Sequence, residues 1–145
     1  MEEREVKQYI IVRTDLGMSA GKIAAQATHA AKKIWFDKFK SSKGGPYVLW
    51  GEDEVEYSFI ATKEEVVWIE GLFTTITKVV KNENQLIKAY NQAKEAGLNC
   101  CIIKDAGLTE LEGENNICIA IGPNYVDKCE PIVKRLRNLT NIEHV

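Results

Sequence analysis

Three positions carry side chains able to do acid–base or electrostatic chemistry in settings that favour it: Lys22, Asp105 and Thr109. Lys22 ends the glycine-containing run Gly17-Met18-Ser19-Ala20-Gly21 and lies at the start of an expected helix, with Ser19 as its N-cap. Unpaired N–H groups and the helix dipole attract an anion to a first turn. A cation there is slightly unfavourable for the helix, which suggests that Lys22 has a ligand; a solvated lysine is the plain alternative. Asp105 opens Asp105-Ala106-Gly107 after the apolar run Cys100–Ile103, setting a carboxylate on a sharp turn with Thr109 further along the same loop. An ordinary turn-forming aspartate is the competing explanation. The glycine run is not a P-loop, because three residues rather than four separate Gly17 from Gly21. Ile23 also follows the lysine, where a Ser or Thr would hold magnesium. A Ser-His-Asp set is not in evidence: His144 is at the terminus, which leaves His29.

The elements that must position these groups are readable from periodicity. Tyr9-Ile10-Ile11-Val12 is a continuous apolar run, the pattern of a strand buried on both faces near the middle of a sheet. The helix after it, expected to run to about Phe39, carries an apolar stripe of Ile23, Ala27, Ala30 and Ile34. Lys22, Gln26, His29 and Lys33 repeat that spacing on the neighbouring face. Ser41 to Pro46 form a break, and Tyr47–Trp50 with Val55–Ala61 predict a hairpin around an acidic turn. Thr62 and Glu65 have the spacing of a capping box for a short helix over 64–70, ended by Gly71. Leu72–Val80 reads as a second core strand. Asn82 and Gln85 open a helix with Leu86, Ala89, Tyr90 and Ala93 inward, stopped by Gly97. Cys100–Ile103 and Ile117–Ile121 complete the core strands, the latter closed by Gly122-Pro123. A last helix over about 127–136 tolerates Pro131 only in its first turn.

This order predicts a three-layer α/β/α sandwich with a mixed, mostly parallel sheet of about four strands, plus a hairpin-like insertion over 41–61. The loop between the last two core strands suits an antiparallel pair. If the strands before Lys22 and Asp105 run the same way, both groups open at one carboxyl edge, where open α/β folds bind ligands. One domain over residues 1–145 is expected.

Composition bounds the function classes. Hydrophobic residues at 45% and charged residues at 28% describe an ordinary globular chain, and a net charge of −2 argues against indiscriminate nucleic-acid binding by the whole surface. Two local basic groups stand out: Lys32, Lys33, Lys38, Lys40 and Lys43, and then Lys134, Arg135 and Arg137. Solvated helix faces are the ordinary explanation for each residue singly. The four cysteines lack CxxC or ligand spacing, so structural thiols are expected and a zinc site is not. No apolar run is long enough to span a membrane, and the acidic start is unlike a secretory signal, so the expected address is cytoplasmic.

Taken together, IIVRTDLGMSAGKIAAQATHAA, KVVKNENQLIKAYNQAKEAGL, KDAGLTEL and ICIAIGP resemble, in order, the type-2 peptidyl-tRNA hydrolases of archaea and eukaryotes. The resemblance covers both ends of the chain and is interrupted between about Lys40 and Thr62. It implies an α/β fold, often dimeric, that hydrolyses the ester joining a peptide to the 3′ ribose of tRNA without a metal or organic cofactor. It also implies catalytic roles for Lys22, Asp105 and Thr109: Asp105 to activate water, Lys22 to stabilise an oxyanion or grip a phosphate, and Thr109 to hold water or ribose. Gln26, His29, Lys33 and Gly107 are the expected substrate-binding residues, Lys33 through phosphate. His29 also has a purely structural explanation as a hydrogen-bonding helix residue. Leu108 stands where the family usually has Arg, removing a cation near the site. A relative that has lost turnover and only binds tRNA or a protein is the alternative of a different class.

Overall fold

The computed structural model describes residues 4–40, 47–105 and 115–140. Its centre is β1 (Val6–Arg13), hydrogen-bonded on one side to β6 (Asn115–Tyr125) and on the other to β4 (Thr75–Val80). With β5 (Cys100–Asp105) and the two-residue β7 (Arg137–Asn138) the sheet has the order β5-β6-β1-β4-β7. The expected mixed sheet forms, with β7 as an additional edge strand. Its parallel pairing is confined to β1–β4; the other three neighbour pairs are antiparallel. The connection over 106–114 is too short for a crossover helix, so β6 turns back beside β5. Because β6 also runs antiparallel to β1, strands β5 and β1 share a direction without touching, and their carboxyl ends lie at one edge.

Helices cover both faces, because β1 and β6 are apolar on both. Ile10, Val12, Ile117, Cys118 and Ala120 pack under α1 (Ala20–Lys40), with Ile23, Ala30 and Ile34 of the predicted stripe. Tyr9, Ile11, Ile119 and Ile121 face the opposite layer, α3 (Glu83–Glu95) and α4 (Val126–Val133). Burying an isoleucine this completely is worth about 1.5–3 kcal/mol. The alanines of α1 allow a close approach to the sheet: the Cys101 and Cys118 thiols donate to the carbonyls of Ala30 and Gln26, at 3.2 and 3.3 Å.

The expected caps form. Thr62 and Glu65 make a reciprocal capping box at α2 (Lys63–Glu70), and Asn82 Oδ1 accepts from Gln85 N at α3. Several boundaries differ from expectation, with β4 starting at Thr75 rather than Leu72 and α4 ending at Val133 rather than about 136. Strand β6 does not stop at Gly122-Pro123 but continues to Tyr125, through a register shift opposite Lys7–Tyr9 that accommodates the proline in a central strand. A Cβ on Gly122 would meet Asn124 N at 2.8 Å and Lys7 O at 3.0 Å, so only glycine fits there. Pro131 lies in the second turn of α4 rather than the first. The carbonyl that loses its partner belongs to Asp127, and both residues are exposed, so water can satisfy it.

The hairpin forms as β2 (Tyr47–Leu49) and β3 (Val55–Tyr57). Tyr57 and the following Phe59 pack on α1, with Phe39 5.3 Å from Tyr57 and 5.4 Å from Phe59, ring centre to ring centre, while Trp35 of α1 stacks on Trp68 of α2 at 5.7 Å.

Candidate active site

The path into α1 is built locally. Gly17 has a φ of 62°, a left-handed conformation that glycine adopts without steric cost. Ser19 then caps the helix: its Oγ accepts from Lys22 N at 3.2 Å, and its carbonyl accepts from Ile23 N at 3.0 Å. Met18 and Ile23 are buried in the same core cluster, a hydrophobic staple that fixes the entry angle of the chain. Lys22 therefore projects from the first turn of α1 at a set position.

On β5 the alternation of a strand sends Cys101 and Ile103 toward α1 and Cys100 and Ile102 to the other face. Asp105 continues the first series, and Lys22 Nζ donates to its Oδ2. Both side chains are nearly enclosed, at 8% and 6% exposure. The anion that a first helical turn attracts is thus the Asp105 carboxylate, which also offsets the lysine charge there. Asp105 pairs in register with Asn115 of β6.

The other expected residues are distributed along α1. Gln26, one turn beyond Lys22, is buried at 8% exposure. The polar face expected for Gln26 is closed there by the approach of β6, whose Cys118 bonds to the Gln26 carbonyl. His29 is exposed, and Lys33 lies 3.0 Å from Asp37 in an i,i+4 ion pair. Gly107, Leu108 and Thr109 lie outside the described residues.

Arg13, the residue after the apolar run Tyr9–Val12, is a buried hub. Its guanidinium forks onto both oxygens of Asp15, at 3.0 and 2.8 Å, and reaches Glu83 at 3.2 Å and the Asn116 carbonyl at 3.0 Å. The Arg13 hydrogen bond holds the Asp15 carboxyl below the usual carboxylate range. Arg13 ties the carboxyl end of β1 to α3 and β6, on the face away from Lys22. The signal for it in the sequence is an arginine at a strand end with an aspartate two residues on; Glu83, 70 residues away, has none.

Among the described residues, no group of three or more His, Cys, Asp or Glu is placed to hold a metal ion. What the Lys22–Asp105 pair offers is a carboxylate able to accept a proton and an ammonium able to face a developing negative charge, both shielded from bulk water.

The sequence model of the family described as peptidyl-tRNA hydrolase PTH2 matches residues 6–139. Among similar proteins, a peptidyl-tRNA hydrolase of Sulfurisphaera tokodaii is 37% identical over 92% of this chain and 98% of its own length. One of Methanocaldococcus jannaschii is 34% identical and one of Sulfolobus acidocaldarius 33%, each over 92% of this chain and all of its own.

Proposed function

The chain belongs to the peptidyl-tRNA hydrolase PTH2 family, and from that premise we propose that it hydrolyses peptidyl-tRNA at the edge where Lys22 meets Asp105. The observation that carries the assignment of the site is the buried contact between these two side chains, brought together from 83 residues apart.

In this reading a water molecule enters beside Asp105, which takes its proton as the oxygen attacks the ester carbonyl carbon. The carbonyl oxygen becomes an oxyanion and faces the Lys22 ammonium, in a setting where water screens little. Collapse of the tetrahedral intermediate breaks the bond to the 3′ ribose oxygen. That oxygen receives the proton held on Asp105, leaving a tRNA with its 3′ hydroxyl and a free peptide carboxylic acid, which releases its proton to solvent. Thr109 and Gly107 follow Asp105 in sequence and are assigned to holding the water and the ribose, as the resemblance implies. Gln26, His29 and Lys33 continue from Lys22 along α1 and are assigned to the 3′ end and its phosphates. Leu108 supplies no charge, so anchoring of the polyanion rests on lysines and arginines elsewhere. The reading includes a single domain with residues 41–61 as an insertion, a cytoplasmic address and a homodimer; sedimentation tests the last. No helix among the described residues is long and apolar enough to cross a membrane. Nothing observed favours the alternative of a relative that only binds.

The test is to incubate the protein with an N-acetyl-aminoacyl-tRNA labelled on its amino acid. Release of the labelled acid with intact tRNA is expected; an ester that survives at its spontaneous rate defeats the proposal.

A further inference from the structure

A groove of about 1130 Å³ lies between α3, α4 and the β4–β7 edge, on the face of the sheet away from Lys22 and Asp105. Five cations line it: Lys81 and Lys88 from the α3 side, Lys134 and Arg135 at the end of α4, and Arg137 in β7. All five are exposed. None of them forms an ion pair among the described residues. Of the two carboxylates on the wall, Asp127 is already engaged by Arg4 at 2.8 and 2.9 Å, which leaves Glu130. The other basic group visible in the sequence is different, since Lys33 is paired with Asp37 and the Lys38 ammonium sits 2.9 Å from buried Glu65. On a chain of net charge −2, these cations without an ion-pair partner among the described residues are gathered in this groove.

Clustering like charges works against the compact state, and a polyanion relieves that repulsion. The rest of the lining suits a sugar–phosphate backbone. Gln85, Lys88 and Gln92 form one exposed polar row on α3, able to donate to phosphate and to ribose hydroxyls. The groove also has a defined relation to the candidate active site. Thr14, which directly follows β1, and Lys81, which directly follows β4, both line it, so one end of the groove opens at the sheet edge that carries Asp105. From β5 to β4 is three strand spacings, roughly 14 Å.

We infer that this groove seats the phosphate backbone of a base-paired stem of the tRNA, while the single-stranded 3′ end crosses the strand ends to Lys22 and Asp105. The inference rests on the functional reading above and deepens it by naming where the body of the substrate is held. Contacts of this kind are indifferent to sequence. They are present before and during reaction alike, so they act on binding rather than on the chemical step.

The test uses Lys88→Ala, Lys134→Ala and Arg135→Ala combined, exposed positions outside the proposed catalytic residues, with the corresponding Lys→Arg and Arg→Lys variant as the charge-conserving control. Binding of deacylated tRNA is followed by fluorescence anisotropy over a salt series, with polyglutamate as a second probe. The triple alanine variant is expected to bind tRNA at least tenfold more weakly, with a log–log salt slope shallower by about two to three units, while the control variant binds as wild type does. It is also expected to show a raised KM for N-acetyl-aminoacyl-tRNA and unchanged turnover of the same acyl group on a CCA trinucleotide. Equal tRNA binding by wild type and the alanine variant overturns the inference, as does wild-type affinity for polyglutamate equal to that for tRNA. Equal loss of activity on the trinucleotide ester also overturns it. If wild type cleaves neither ester, the functional reading fails on its own, and the anisotropy measurement still decides the groove.

Discussion

Lys22 Nζ donates to Asp105 Oδ2, joining the first turn of α1 to the last residue of β5. The two groups meet because β6 turns back between β5 and β1, so that both strands end at one edge. The pair links fold and chemistry: each charge compensates the other in a site from which water is largely excluded.

Removing one member of this pair strands the other. Lys22→Met and Asp105→Leu are each expected to destabilise the protein by about 3–5 kcal/mol. The double variant is expected to lose far less than the sum, because it leaves no unpaired buried charge. Urea unfolding of the four proteins measures the coupling, and additive losses would contradict a coupled pair.

Glu65 is fully buried and accepts from Thr62 N at 2.8 Å, Asn99 Nδ2 at 2.8 Å and Lys38 at 2.9 Å. It fastens α2 to α1 and to the start of β5. Glu65→Ala is expected to cost about 3–5 kcal/mol in urea unfolding, whereas Thr62→Ala, which removes only the helix cap, costs about 1 kcal/mol. Equal effects of the two would mean that Glu65 acts only as a cap partner.

How much of this was legible in the sequence depends on range. Tyr9–Val12 announced a central strand because apolar residues without alternation have no polar face to present. Thr62 with Glu65 and Asn82 with Gln85 announced helix starts because a cap is a local bond. The first-turn setting of Lys22 pointed to a ligand. Its contact with Asp105 required the strand order, which periodicity does not encode. The role of Arg13 is not legible in the sequence, because Glu83 and the Asn116 carbonyl become its partners only on folding. Gln26 falls on the polar face of the helical repeat, and its burial follows from the close approach of Cys118, which the repeat does not encode. The full length of β6 is hidden in the sequence because a proline usually ends a central strand, and here a register shift accommodates it. The family motifs were the most specific signal, since together and in order they pointed to the family before any fold was known.

The Arg13–Asp15 pair sets an acid dependence. The Asp15 carboxyl is depressed by its hydrogen bond to Arg13. Its contribution is therefore fully present above the ordinary aspartate value, about 3.9, and is lost as pH falls through the lower value it has when folded. As pH falls below about 4, wild type is expected to lose more stability than Asp15→Asn does. Parallel stability curves for the two proteins would contradict this.

Burial pushes the thiols of Cys101 and Cys129 up to about 11 and that of Cys118 up to about 12. Cys100 is only half-buried. Iodoacetamide at neutral pH is expected to label Cys100 slowly and first, with the other three reacting only on unfolding. Peptide mass spectrometry reads the order, and early labelling of Cys118 would contradict the packing of α1 on the sheet.

The most direct test of the central claim is steady-state hydrolysis of N-acetyl-aminoacyl-tRNA by wild type and by Asp105→Asn, with folding of both verified by circular dichroism. The amide keeps an oxygen to accept from Lys22 but is a far poorer proton acceptor. The account predicts a kcat lowered by about 10²–10⁴ with KM nearly unchanged. A folded Asp105→Asn protein that turns over at the wild-type rate would contradict it.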